Sequence, residues 1–223
     1  MRSIAEENAV LPGTLHVALR DAVLDRELPP GTAVTESAVA SRYGVARPTA
    51  RLAIERLVAE GLLARAPHQS ARVPVLSAQD IADIFDSRAL VEQAAIERLA
   101  RAGSIPAEAL AAHRELLAID DRAPFARLDA TFHRSLVAGQ PNARLARMHG
   151  LLMGEIELCI AQVQAERVLS PVEIGAQHQA ILDAVTAGDA TLAGRLARDH
   201  IHGARDRLLA AAQATTDPTQ GLD

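Results

Sequence analysis

Apolar side chains recur at intervals of three and four residues along almost the whole chain, and this helical period limits the possible folds more than any other feature. Two short stretches depart from it, residues 62–65 and 71–75, which flank a polar turn at residues 67–70 and predict a small β-hairpin. The pattern therefore predicts a mainly α protein.

The first third of the chain predicts three helices followed by this hairpin. The helices are expected at about residues 14–26, 36–43 and 47–60. Thr35 is expected to cap the second helix, and Leu52, Ile54 and Leu57 are expected to face inward from the third. This order of elements is typical of a winged helix-turn-helix, whose third helix enters the major groove of DNA.

A domain boundary is predicted near residue 76, where Pro74 is followed by a polar segment that begins at Ser77. This divides the chain into a winged helix-turn-helix DNA-binding domain, 1–76, and a second domain, 77–223. The second domain predicts six helices, at about residues 79–102, 106–119, 124–138, 142–166, 171–187 and 189–212. Because their connections are short, neighbouring helices are expected to pack as a C-terminal antiparallel six-helix bundle.

Charge is distributed unevenly between these two parts. The chain has no lysine, so all 23 of its basic residues are arginines, against 28 acidic residues. Residues 1–76 carry nine arginines and eight acidic residues, whereas residues 77–223 carry fourteen and twenty. One basic segment in an acidic chain indicates that the N-terminal domain meets phosphate. With only 2% aromatic residues, a surface that stacks on bases is not expected.

Two further features concern the compartment. No apolar run approaches the roughly 18 residues that span a bilayer, so we expect a cytoplasmic protein without a membrane partner. The single cysteine, Cys159, cannot form a disulfide within the chain or a paired-cysteine metal site. It is expected to be a small apolar packing residue.

Several polar side chains fall where a winged helix-turn-helix would contact DNA. Arg47, Thr49 and Arg51 occupy the first turn of the third helix, where an arginine fork can bind guanine or clamp a phosphate. Arg42 is expected near the DNA backbone, and His68 at the tip of the wing. The alternative is that these arginines are solvated residues on the surface of a small helical domain.

Residues 19–75 resemble the DNA-binding domain of the GntR family of bacterial regulators. The resemblance rests on the bend at Leu28-Pro29-Pro30-Gly31, on Thr35-Glu36, on Gly44-Val45 and on the Arg47 and Arg51 pair. It implies a homodimer that binds double-stranded DNA at a palindromic operator. Four features depart from the family pattern. Ala46 replaces the capping serine, Ser37 replaces an arginine, and Ser70 replaces the wing glycine. The family's Thr-Pro order is also reversed, at Pro48-Thr49. DNA preference is therefore expected to be unusual, with Ser37 kept as a candidate contact.

Four polar residues interrupt the inward apolar stripes of three C-terminal helices. They are Asp129 and His133, four positions apart, then His178 and His200. Buried groups of this kind need partners. A divalent metal would provide them, and this donor set suits Zn²⁺ or Ni²⁺ best and also Mn²⁺ or Fe²⁺. The alternatives are a hydrogen-bonded core network, and His202 in place of His200.

This constellation is similar to the metal-containing, effector-binding FCD domain of the FadR subfamily, which implies that the four residues are metal ligands. The resemblance continues in the first bundle helix, where Arg88 and Glu92 form an R-x3-E pattern. Arg88 is expected to bind a small carboxylate effector, or to form an internal ion pair with Glu92, or both. Glu92 and Arg134 are further effector candidates, whereas the remaining histidines, His16, His113 and His149, are expected at the surface.

These observations predict a ligand-responsive transcriptional regulator, a repressor, in which an organic acid that chelates the metal changes the placement of the two DNA-binding heads. Two alternatives remain open. One is a metal-dependent hydrolase or lyase that uses the same three-histidine, one-aspartate centre, although the sequence offers no additional placed general base. The other is a regulator without an organic effector, in which the metal only stabilises the bundle or is itself the signal.

Overall fold

The computed structural model describes residues 12–120, 125–163 and 168–216. The chain divides into two compact units, Met1–Val75 and Leu76–Asp223. The described part of the first unit contains α1 (Pro12–Leu24), β1 (Ala33–Val34), α2 (Glu36–Tyr43), α3 (Arg47–Ala59) and β2 (Ala71–Arg72). The described part of the second unit contains α4 (Ala78–Ala102), α5 (Ala107–Ala118), α6 (Ala126–Ala138), α7 (Ala143–Val163), α8 (Pro171–Thr186) and α9 (Ala190–Thr216). The predicted mainly α fold, a winged helix-turn-helix followed by a six-helix bundle, is confirmed.

The turn between α2 and α3 is set by local backbone chemistry. Thr35 accepts a hydrogen bond from the Ala38 amide at 3.2 Å and caps α2. Gly44 ends that helix at a φ of 64°, which a residue without Cβ adopts at little cost. Helix α3 then begins after Ala46, which provides no side-chain cap, and Pro48 fits its first turn because a proline there loses no helical hydrogen bond.

Helix α3 packs on α1 and α2 through a face formed by Ala50, Ala53, Ile54 and Leu57. The expectation that Leu52 faces inward is wrong, since 59% of its surface is exposed. At 3.6 residues per turn Leu52 lies on the opposite side of the helix from the buried face.

The wing differs from the predicted hairpin. β2 pairs antiparallel with β1, and Ala64 is joined to Arg72 by a single bridge. Leu62 and Leu63 are both buried, and consecutive residues of a strand point to opposite faces, so this segment does not form a regular edge strand. The two residues of β1 are too few to show a period, which is why the sequence did not reveal them.

Helix α4 is the centre of the second unit and packs against α6, α7, α8 and α9. It begins at a capping box between Ser77 and Asp80 and ends at Gly103. The predicted helix limits at residues 124 and 166 lie outside the described residues. Cys159 is buried in the core of this unit, as expected. Within the described ranges, no helix is long and apolar enough to cross a membrane.

Candidate functional site

Three helices of the second unit bring four buried side chains to one point. Asp129 and His133 lie on one face of α6, His178 comes from α8, and His200 from α9. One possible ligand atom from each lies within 4.8 Å of all the others. The structure thus brings together the four residues that the sequence singled out.

Ring nitrogens and a carboxylate oxygen face each other inside this cluster. Nε2 of His133 lies 3.2 Å from Nε2 of His200 and 3.5 Å from Oδ1 of Asp129. Nε2 of His178 lies 3.4 Å from the same carboxylate oxygen. The cluster therefore presents three imidazole nitrogens and one carboxylate oxygen to a common centre.

A second layer of side chains fixes which ring nitrogens carry protons. Glu92, on α4, accepts from Nδ1 of His133 at 2.5 Å, and Gln177 Oε1 accepts from Nδ1 of His200 at 2.6 Å. In the neutral form of each ring, Nε2 is then left bare. Two bare nitrogens 3.2 Å apart repel each other unless a proton or a metal ion lies between them. The donor set therefore fits a cation.

The charges around the cluster also favour a cation. Burial and the Arg88 charge lower the pKa of His133, but the carboxylates of Glu92 and Asp129 outweigh them and raise it above its ordinary value. Burial raises the pKa of Asp129, but the His133 charge, the close approach of the His133 and His178 ring nitrogens at 3.5 and 3.4 Å, and the Arg88 charge hold it well below its usual range. Burial itself lowers the pKa of His178 to about 4. Asp129 is thus ionised and His178 neutral near pH 7, the states in which both bind metals.

Phe132 covers one side of the cluster. Its ring is stacked on His178 with 3.9 Å between centroids. Among the residues that the structure describes, neither ring nitrogen of His178 has a hydrogen-bond partner, although both are buried. Such an unsatisfied imidazole is costly without a ligand.

A small cavity of about 30 Å³ adjoins the cluster, enough to hold at least one water molecule. Arg88, Asp129 and His200 line it together with apolar side chains. Its more exposed wall includes Glu173 of α8 and Arg207 of α9, paired at 2.5 Å.

Arg88 lines this cavity and keeps an unused donor among the described residues. Its Nε donates to Glu92 at 2.8 Å, so the predicted internal ion pair is present. Its Nη2 lies 3.8 Å from Asp129 and has no hydrogen-bond partner within the described part of the chain. A buried guanidinium with a free edge is suited to a carboxylate.

The other candidates of this unit lie elsewhere. Arg134 donates to Glu157 at 2.9 Å and is not among the residues that line the cavity. His202 is one-third exposed, 3.7 Å from Asp86 and outside the cluster.

The expectation that three further histidines lie at the surface is wrong. His16 contacts Glu60 at 3.0 Å, His113 contacts Gln179 at 2.9 Å, and His149 contacts Glu92 at 2.9 Å, all from buried positions. The helical period could have found His149, because it continues the buried stripe of Met153, Ile156 and Ile160 on α7. Gln177 and Phe132 gave no sequence signal for their contacts with the cluster, which depend on tertiary packing.

The first unit presents the predicted DNA contacts at its surface. Arg47, Arg51, Arg42, Ser37 and His68 are exposed, and Thr49 is partly exposed. Two of these arginines are held by acidic neighbours: Arg51 by Glu55 at 2.7 Å, and Arg42 by Glu27 at 2.5 Å.

A cleft beside α3 collects several of these residues. It has a volume of about 350 Å³ and is lined by Ser37, Arg47 and His68 together with Arg65, which the sequence reasoning did not select. The first turn of α3, the start of α2 and the wing tip therefore meet at one surface.

Comparison with known proteins gives matches in both units. Residues 83–203 match the FCD domain, and residues 13–73 match the bacterial regulatory proteins of the gntR family. The chain is 31% identical to the "Probable D-xylose utilization operon transcriptional repressor" of Paenarthrobacter nicotinovorans, over 78% of each protein. It is 30% identical to the transcriptional repressor GlaR of Escherichia coli (strain K12), over 82% of this chain and 89% of that protein. A crystal structure of a GntR regulator from Rhodococcus sp. RHA1 superposes with a TM-score of 0.71 at 26% identity, covering 89% of this chain and 97% of that one.

Proposed function

Since this chain belongs to the GntR family and carries an FCD domain of the FadR type, it is a DNA-binding transcriptional regulator, and we propose that it is a homodimeric repressor controlled by a metal-bound organic acid. Two relatives that are named as repressors support a repressor over an activator. These families and relatives are regulators and not enzymes, so the hydrolase or lyase alternative has no support.

We assign DNA reading to the first turn of α3 and the cleft beside it. Arg47 and Arg51 extend from that turn, and Ser37 and His68 line the cleft next to Arg47. An arginine fork discriminates guanine by about 1 to 3 kcal/mol, and a dimer on a palindrome makes each contact twice. To bind DNA, Arg51 must first break its ion pair with Glu55.

The test is the affinity of Arg47→Ala and Arg51→Ala for an operator selected by the wild-type protein from random DNA. Each variant should bind at least ten-fold more weakly, with unchanged helical content and oligomeric state. Arg56→Ala is the matched control, because Arg56 lies in the last turn of the same helix and is similarly exposed and paired with Glu60. Affinities within two-fold of wild type for both first-turn variants would move DNA reading away from α3.

The metal proposal is carried by the two bare Nε2 atoms of His133 and His200, 3.2 Å apart and fixed by Glu92 and Gln177. Asp129 and His178 complete a set of four protein ligands. Bound there, a divalent ion would act as a Lewis acid that accepts a carboxylate oxygen from a ligand. The three imidazoles favour Zn²⁺ or Ni²⁺ over harder ions, with Mn²⁺ and Fe²⁺ as further candidates.

Elemental analysis tests this proposal directly. The purified protein should hold about one divalent ion per chain, as a single cluster of four ligands implies. His178→Ala and His200→Ala should lose it, whereas His202→Ala, two residues beyond His200 on α9 and outside the cluster, should keep it. Absence of metal from the wild-type protein after incubation with Zn²⁺ or Ni²⁺ would leave the four residues as a hydrogen-bonded core network.

The effector proposal rests on Arg88, which lines the cavity and whose buried Nη2 has no hydrogen-bond partner among the described residues. A carboxylate held by the metal and by this guanidinium would satisfy both. Because the cavity is small, the ligand must be short or must displace the Glu173 and Arg207 pair as it enters. To regulate DNA occupancy, the ligand must favour one arrangement of the dimer by about 1 to 3 kcal/mol.

Calorimetry with a panel of short mono- and dicarboxylates tests this step. Binding should need the metal, and Arg88→Lys should weaken it about ten-fold or more, since lysine keeps the charge but loses the fork. Glu92, Arg134 and the metal ligands are not changed in this variant. Equal affinity in the metal-loaded, metal-free and Arg88→Lys proteins would place the effector elsewhere and leave the metal with a stabilising or sensing role.

A further inference from the structure

His178 differs from the other two histidines of the cluster in the hydrogen bonding of its Nδ1 atom. Nδ1 of His133 is held by Glu92 and Nδ1 of His200 by Gln177, but Nδ1 of His178 has no hydrogen-bond partner in the described residues. When Nε2 of a neutral imidazole faces a metal, Nδ1 carries the proton and needs an acceptor. The cluster therefore has one buried donor left over.

A residue that can provide the acceptor lies near His178, on α5. His113 is buried, and its Nδ1 likewise has no partner among the residues described. The two imidazole rings are 6.1 Å apart between centroids, and both pack near Phe132. No other element places an unsatisfied ring nitrogen beside His178 in the described ranges.

The tautomer of His113 is set by a chain of contacts with two residues of α8. Nε2 of Gln179 donates to Asp183 at 2.7 Å, which turns the amide oxygen of Gln179 toward His113. That oxygen accepts from Nε2 of His113 at 2.9 Å. With its proton on Nε2, a neutral His113 has a bare Nδ1, which can only accept.

We propose that His113 is a positioning residue for the metal centre: its Nδ1 accepts the Nδ1–H of His178, directly after a small ring rotation or across one water molecule. Asp183, Gln179 and His113 then form a relay that keeps Nε2 of His178 bare and aimed at the metal. This inference rests on the proposed metal site and adds to it the residue that orients its third imidazole. Outer partners of this kind commonly change metal affinity by about 10- to 100-fold.

The experiment compares Zn²⁺ affinity, measured by competition with a chromophoric chelator, and the Co²⁺ absorption spectrum in full-length variants. His113→Leu should weaken Zn²⁺ binding by about 10- to 100-fold and alter the Co²⁺ spectrum. His113→Asn should restore most of the affinity, because its side-chain oxygen takes the place of Nδ1 as acceptor. His202→Leu is the matched control and should bind both ions as the wild type does.

Gln179→Leu provides a second variant at an exposed position, where folding is little affected. It frees the tautomer of His113 and should weaken Zn²⁺ binding by a smaller factor than His113→Leu. If the wild type binds Zn²⁺ and both His113→Leu and Gln179→Leu bind it equally well, the relay is wrong and the metal site stands. If His113→Asn binds Zn²⁺ as weakly as His113→Leu does, the proposed role of His113 as a hydrogen-bond acceptor is wrong. A wild type that binds no metal overturns the relay together with the proposed site.

Discussion

Glu92 is a buried carboxylate that contacts three other buried polar side chains of the second unit. Its carboxylate accepts from Arg88 at 2.8 Å, from His133 at 2.5 Å and from His149 at 2.9 Å. Burial raises the pKa of Glu92, but the Arg88 and His133 charges and the two histidine hydrogen bonds outweigh it and hold the pKa well below its ordinary value. Glu92 is therefore ionised near pH 7.

We predict that Glu92→Gln lowers the free energy of unfolding of the metal-free protein by about 3 kcal/mol, because it leaves the buried Arg88 charge without its main counter-charge. The amide would also face one of the histidine donors with its own N–H groups. Urea unfolding followed by circular dichroism in the presence of a chelator measures this change. Arg101→Gln breaks an exposed ion pair of the same spacing on the same helix and should cost less than about 1 kcal/mol. Equal effects of the two substitutions would contradict a structural role for Glu92.

The thiol of Cys159 allows a prediction of chemical reactivity. Burial raises its pKa to about 12, so that only about one thiol in ten thousand is ionised at pH 8. Iodoacetamide should label the native protein very slowly, and the rate should keep rising from pH 8 to pH 10, where an unfolded thiol of pKa about 8.5 levels off. The urea-unfolded protein should take up label readily. Rapid labelling of the native protein would mean that this part of α7 opens frequently.

At the scale of one element, α3 has a proline in its first turn but no capping side chain. Ala46 leaves the first amides of the helix without a side-chain acceptor, whereas Thr35 caps α2 and Ser77 caps α4. A serine at position 46 would accept from one of these amides.

Ala46→Ser should therefore stabilise the first unit by about 0.5 to 1 kcal/mol. The chain has one tyrosine and no tryptophan, and Tyr43 lies on α2, so tyrosine fluorescence during urea unfolding reports on this unit. Ala66→Ser, at an exposed position outside any helix, is the control and should have no effect. A gain no larger than that of the control would show that the first turn of α3 is already satisfied in another way.

At the scale of the whole molecule, the proposed metal joins helices that lie far apart in the chain. Its ligands come from α6, α8 and α9, and their outer partners include Glu92 on α4. A ligand that binds the folded state alone stabilises it by mass action, by about 2.7 kcal/mol at a hundred times its dissociation constant.

Excess Zn²⁺ should accordingly raise the melting temperature of the wild-type protein, and a chelator should reverse the change. His200→Leu should show a much smaller response, since it removes one of four ligands without leaving a polar group in the core. His202→Leu should respond as the wild type does. Differential scanning calorimetry gives both values, and a metal response that survives in His200→Leu would place the stabilising ion somewhere else.

The sequence by itself determined the helices and the candidate ligands. Helical periods, glycine stops and caps act within a few residues, so the helices and their order along the chain could be read directly. Asp129 and His133 were predicted to share a face because a helix repeats every 3.6 residues, and His178 and His200 stood out as polar positions on apolar stripes.

Tertiary structure alone decided which side chains meet across elements. The pairing of β1 with β2, the burial of His16 and His113, and the contact of Gln177 with His200 join residues far apart in the chain, where no local period operates. The same holds for Glu92. The family resemblance suggested that it binds the effector, and nothing in the sequence indicated that it contacts His133 and His149. A hydrogen bond depends on distance and direction in space, and packing of the helices, not the spacing of residues, sets both.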